Sequence, residues 1–140
     1  SRYEIQLENY CKTVRIEALT MVDMARKEIL PSVEAYVSDL ATAAAAKSAV
    51  SEDLPWGYEK KLLRKLASLV DTMDGRVDSL EEKLVRLDTL RDTTEEAAFI
   101  RDELIPAMGE LRAVADESET QTAAKYWPFP TYGELLFSVK

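Results

Sequence analysis

The side chains that could do chemistry in this chain are few in kind: one thiol, a surplus of carboxylates and one basic cluster. The 140 residues contain no histidine. That removes the commonest general base, the commonest metal ligand and every Ser-His-Asp arrangement. Cys11 has no imidazole to take its proton and no second cysteine for a disulfide or a thiolate zinc site, so it points to a reducing compartment. Glu81, Glu82, Glu95 and Glu96 are carboxylates that a helical bundle could turn onto a di-metal centre. Such centres also draw on Glu-x-x-His, which this chain lacks, and the four are read as solvated helix faces. There is no Gly-rich phosphate loop, Walker sequence or Gly-x-Ser-x-Gly elbow. No catalytic, cofactor-binding or metal-ligating residue is therefore assigned.

What remains is surface chemistry. Lys60, Lys61, Arg64 and Lys65 form the one basic cluster, able to meet an acidic surface or a phosphate. Ordinary solvation, with pairing to acids of a third helix, explains them as well. The chain as a whole is acidic, 18 basic against 26 acidic groups, net −8. Residues 92–125 hold 3 basic and 9 acidic groups, so −6 of that total lies in one quarter of the chain. An acidic chain is a poor ligand for nucleic acid, whose binding rests on neutralised phosphates. No apolar run reaches the ~20 residues that span a bilayer. The expectation is a cytoplasmic protein with neither a nucleic-acid nor a membrane partner.

These side chains must be carried by helices. Ala, Glu, Lys, Leu and Arg supply 68 of the 140 residues, a composition typical of long helices, while 4 Gly and 5 Pro leave little turn material. A first helix over 3–49 carries the stripe Leu19, Val22, Ala25, Ile29, Val33, Tyr36 and Leu40. Pro31 interrupts it and predicts a kink near Met24 to Lys27, or a break there. Residues 51–57, with Pro55 and Gly57, form a loop. A second helix over 58–91 holds a heptad seam: Leu66, Val70, Met73, Val77, Leu80, Leu84 and Leu87. A third helix over 94–124 opens on a capping box of Thr93 and Glu96 and buries Ala97, Ile100, Leu104, Met108, Leu111 and Ala115, with Pro106 inside it. The fold expected is all-α: an up-down-up bundle of three long helices in one domain, 1–140, the first and third interrupted by Pro.

Two further expectations follow from this arrangement. Arg26-Lys27-Glu28-Ile29-Leu30-Pro31 and Arg101-Asp102-Glu103-Leu104-Ile105-Pro106 are similar, and parallel first and third helices would set both prolines at one height. The first helix would also overhang the others by about fifteen residues, leaving Tyr3, Ile5, Leu7 and Tyr10 as an interface. The aromatic tail and short helix over 126–138 contain Trp127, Phe129, Tyr132, Leu136 and Phe137, and Thr131 with Glu134 makes a second capping box. Trp127-Pro128-Phe129-Pro130 could serve as a polyproline ligand but reads better as a stiff, buried connector. With the third helix ending beside the 51–57 loop, Trp127 or Phe129 would pack near Trp56 and Tyr58.

The ending Trp127-Pro128-Phe129-Pro130-Thr131-Tyr132-Gly133-Glu134-Leu135-Leu136-Phe137 resembles the C-terminus of type III glutamine synthetases. Arg2-Tyr3-Glu4, Glu8-Asn9-Tyr10, Ile16-Glu17-Ala18, Glu28-Ile29-Leu30-Pro31 and Ile105-Pro106-Ala107-Met108 resemble the same region. The resemblance implies a helical C-terminal domain of a larger oligomeric enzyme that ligates glutamate and ammonia with ATP and a divalent metal such as Mg. The groups binding nucleotide, metal and substrate would lie in an upstream catalytic domain, so none is carried onto a residue here. The partners implied are that domain and neighbouring subunits. A free-standing helical adaptor module is the alternative.

Overall fold

The computed structural model describes residues 1–130; the short helix expected after Thr131, with Tyr132, Leu136 and Phe137, lies outside them. Three rods result. The first runs unbroken through α1 (Arg2–Met24), a π-helical turn (Ala25–Ile29) and α2 (Leu30–Val50). The second is α3 (Gly57–Leu87). The third joins α4 (Thr93–Phe99), a second π-helical turn (Ile100–Leu104) and α5 (Ile105–Gln121), and a 3-10 turn (Ala124–Tyr126) follows. Among the described residues there is no strand.

Ion pairs between rods show how they run. Arg15 meets Asp88, Arg26 meets Glu81, and Lys47 meets Glu59, so α3 descends as the first rod rises. Lys83 to Glu103 and Lys65 to Glu117 repeat that order between α3 and the third rod. The bundle is up-down-up. The seam lies at its centre: Leu66, Met73, Val77, Leu80, Leu84 and Leu87 are buried and Val70 is half-buried. Leu69 is buried too, because α3 packs against two rods and needs a stripe wider than a single seam. Where the rods approach closely, small residues take the contact line. Ala18 is fully buried and Leu19 is displaced to the surface, while Ala107, Val114 and Ser118 are buried with Met108 and Ala115 beside them.

Both prolines are accommodated in one way, without a break. Leu30 N–H donates to the Ala25 carbonyl and Ile105 N–H to the Ile100 carbonyl, each bond spanning five residues and ending just before a proline. A proline in an α-helix removes one donor and crowds the carbonyl four residues back. Widening the preceding turn gives the ring room while the rod continues. Where a kink or a break was expected, near Met24 to Lys27, the rod instead carries this widened turn at Ala25–Ile29.

Three boundaries differ from expectation. The capping box of Thr93 and Glu96 does not form. Asp92, in extended backbone (φ −99°, ψ 129°), is the residue that leaves the helix, and its carboxylate accepts from Glu95 N–H. Second, the prolines are not level. Ile105 lines a groove with Tyr10 and Val14, whereas Ile29 lies beside Leu111 and Ala115. The offset is about 25 Å at 1.5 Å per residue. Third, α5 stops at Gln121, which lines a groove with Lys61 and Lys65 rather than reaching the 51–57 loop. The third rod is thus displaced toward the start of α1, where α4 covers part of the expected overhang and Cys11 is buried.

Candidate interaction surfaces

The displacement leaves two ends unlike the middle. At one end α2 and α3 continue alone as a two-helix tip. Beyond Leu40 no α2 residue is buried, and before Leu66 only Glu59 of α3 is buried. The connecting turn presents Val50, Leu54, Trp56 and Tyr58, 78%, 38%, 39% and 68% exposed. The Lys60 ammonium stands 5.4 Å from the centre of the Trp56 ring. Lys61, Arg64, Lys65, Ser68 and Gln121 line a groove of about 590 Å³ beside the tip. Lys65 is paired with Glu117 at 2.7 Å; no carboxylate among the described residues lies within ion-pair distance of Lys61 or Arg64.

One half-buried charge pair links α2 to α3 at the tip. The Glu59 carboxylate sits at the start of α3 with Lys47 Nζ 2.7 Å and 3.1 Å from its two oxygens. The Lys47 hydrogen bond, helped by Glu59's own backbone N–H, draws this carboxyl below its ordinary range against the opposing effect of burial. Sequence reading missed the pair, although Lys47 and Glu59 flank the loop at helix ends where their charges complement the dipoles.

The chain's return after α5 differs from expectation. Trp127 and Phe129 do not reach Trp56 and Tyr58. They fold into a groove of about 300 Å³ between the first and third rods, with Met21, Met24, Ile29 and Leu111. Tyr126 anchors this return: its ring lies 4.9 Å from that of Tyr36 and its hydroxyl donates to Asp39. Burial, with the hydroxyl of Tyr58 next in weight, pushes the Tyr36 phenol up to about 12. The tail was expected at the tip because the third helix was expected to end there; α5 ends lower, and the tail meets the side of the bundle instead.

At the opposite end Tyr3, Ile5 and Tyr10 are 70%, 60% and 43% exposed, and Leu7 is half-buried. Cys11, the next residue, is enclosed, and burial followed by the nearby Glu96 charge raises its thiol above the ordinary value. Among the described residues no three His, Cys, Asp or Glu side chains are grouped to hold a metal ion. No helix among them is long and apolar enough to cross a membrane.

These features define an elongated helical-bundle domain, closely packed in its middle and aromatic at its ends. The family model for the glutamine synthetase C-terminal domain matches residues 1–48, the first rod. A glutamine synthetase of Butyrivibrio fibrisolvens is 35% identical over 140 residues, all of this chain and 20% of that protein. The type-3 glutamine synthetase of Dictyostelium discoideum is 27% identical over 147 residues, covering 98% of this chain and 19% of that protein. A glutamine synthetase of Bacteroides fragilis is 28% identical over 145 residues, 98% of this chain and 19% of its own length. The chain is therefore similar to the C-terminal domain of glutamine synthetases, a type-3 enzyme among them. It spans about one fifth of the length of these relatives.

Proposed function

We propose that this chain is a non-catalytic C-terminal domain of a glutamine synthetase that supports the catalytic body and contacts neighbouring subunits. The ligation of glutamate and ammonia, with its ATP and divalent metal, belongs on this reading to an upstream domain in the cytoplasm. The observation that carries it is the start of α1. Tyr3 and Tyr10, seven residues apart and so on one face of α1, are left uncovered at the end where an upstream domain would join, and Ile5 is exposed between them on the other side of the helix. Large exposed side chains grouped on one face mark contact surfaces more often than bare solvent exposure.

The test is deletion of residues 126–140 from the enzyme that carries this domain, followed by mass and heat stability. Loss of Tyr126, Trp127 and Phe129 uncovers Tyr36 and the groove they line. The expected result is a smaller assembly or a lower melting temperature, with substrate binding by the remaining subunits unchanged. Unaltered mass and melting temperature would refute the supporting role. A free-standing adaptor is the second reading, favoured by the basic groove at Lys61 and Arg64. An open reading frame that starts near Ser1 would support it, and one extending hundreds of residues upstream would exclude it.

A further inference from the structure

The chain's return after α5 has a direction. Tyr126 is held at Tyr36 and Asp39, which lie beyond Ile29 on the first rod. Trp127 and Phe129 then line the groove whose first-rod side runs from Met21 to Ile29. The return therefore heads back toward the start of α1. Further along that line the first and third rods leave a second groove, of about 390 Å³, lined by Tyr10, Val14, Ile105 and Met108 with Glu17 and Arg112 at its edge. Arg112 lines both grooves, so the second continues the first. Among the described residues its apolar wall is open to water: Tyr10 and Ile105 are 43% and 42% exposed, and Met108 is half-buried.

The residues that follow Pro130 suit this second groove in chemistry and in length. Thr131 to Lys140, outside the described residues, carry Tyr132, Leu135, Leu136 and Phe137. Glu134 and Lys140 supply one charge of each sign, as Arg112 and Glu17 do at the groove's edge. The step from the Met21 to Ile29 stretch down to the Tyr10 to Glu17 stretch is about 17 Å at 1.5 Å per residue. Ten residues span about 15 Å as a helix and over about 30 Å when extended, so the segment reaches in either form.

We infer that the second groove is the seat of this chain's own last ten residues, whose apolar side chains cover Tyr10, Ile105 and Met108. A second copy carries the same segment, but the one joined to Pro130 starts at the mouth of the groove. A short connection gives it an effective concentration on the order of millimolar, above that of any separate copy in dilute solution. The two ends of the chain then meet, and the surface beside Tyr3 and Tyr10 is built from both. This inference goes beyond the proposed function and does not need it, so its refutation would leave the subunit-contact reading to its own deletion test.

Methionine oxidation tests it, because peroxide converts a thioether it can reach to the sulfoxide. The 140-residue chain is treated with hydrogen peroxide, and each of the four methionines is followed by peptide mass spectrometry. Met73, fully buried, and Met24, beside Trp127 and Phe129, are the internal controls. The expected result is several-fold faster oxidation of Met108 in a chain ending at Pro130, and in the full-length Leu136→Glu/Phe137→Glu variant, with Met24 and Met73 unchanged. Equal Met108 rates in all three chains would overturn the inference. So would faster oxidation at every methionine, which would mean that the segment acts on the whole bundle rather than on this groove. Protection of Met108 that fades on dilution, as the mass falls to 15.8 kDa, would overturn it in favour of a second copy's segment.

Discussion

The middle of the bundle and its two-helix tip use the same kind of helix under different conditions. In the middle each rod faces two others, and Leu66, Met73, Leu80, Ile100 and Leu104 are sealed from water. At the tip α2 and α3 have only each other, and the Ala43 to Ala46 run has little apolar surface to bury. The tip instead relies on the Lys47 to Glu59 pair and on helix propensity. The number of partners a helix has decides whether hydrophobic burial or local interactions hold it. A region left with one partner keeps its aromatics exposed and available to another molecule.

Truncation in the core should produce the largest effect. Leu80→Ala removes a fully buried side chain that α3 packs between two rods, and the expected loss is about 2–5 kcal/mol by urea unfolding. A loss under about 1 kcal/mol would mean the middle is no better packed than the tip.

Glu59→Gln should come next and act locally. It leaves Lys47 without its anionic partner, so amide exchange over 40–63 should quicken while exchange in the middle holds. Acid tests the same group. The Glu59 carboxyl is drawn below its ordinary value on folding, so its contribution is fully present above the unfolded carboxylate range and is lost as pH falls through the folded value. Helix content followed by circular dichroism below about pH 4 should therefore fall less steeply in Glu59→Gln than in the unaltered chain. Equal slopes would show that the pair does not hold the tip.

A gain is expected at Gly75. It lies inside α3 at negative φ, and a Cβ there would meet nothing within 4 Å. Gly75→Ala should add about 0.5–1 kcal/mol by reducing the freedom of the unfolded chain, seen as a higher urea midpoint. Trp56→Ala should change stability least, by about 0.5 kcal/mol or less, because the tip does not bury this ring in a core. A large loss there would erase the contrast between the two regions.

Much of the fold was legible because its signals are local. The heptad steps from Leu66 to Leu87 can be counted without a structure, and six of the seven positions are buried. The two Arg-x-Glu-x-x-Pro segments reported a shared backbone response, and both became π-helical turns. The surfaces were less legible. Tyr3 and Tyr10 were expected on an uncovered stretch and are exposed, but Trp56 and Tyr58, expected beneath Trp127 or Phe129, are exposed as well, because the tail lies against the side of the bundle. The Lys47 to Glu59 pair was not anticipated, because twelve residues and a loop separate its members.

By itself the sequence determined helix existence, the up-down-up order and the absence of histidine chemistry, since composition and period act over one or two turns. Only the tertiary structure decided how far the third rod slides along the first. A periodic stripe matches itself after each repeat, so its pattern is nearly indifferent to such a slide. What breaks that degeneracy is the sum of particular contacts: Arg15 with Asp88, Lys65 with Glu117, and Ala18 or Ser118 where bulk would not fit. That slide exposes the tip, covers Cys11 and sets Trp127 and Phe129 against the side of the bundle.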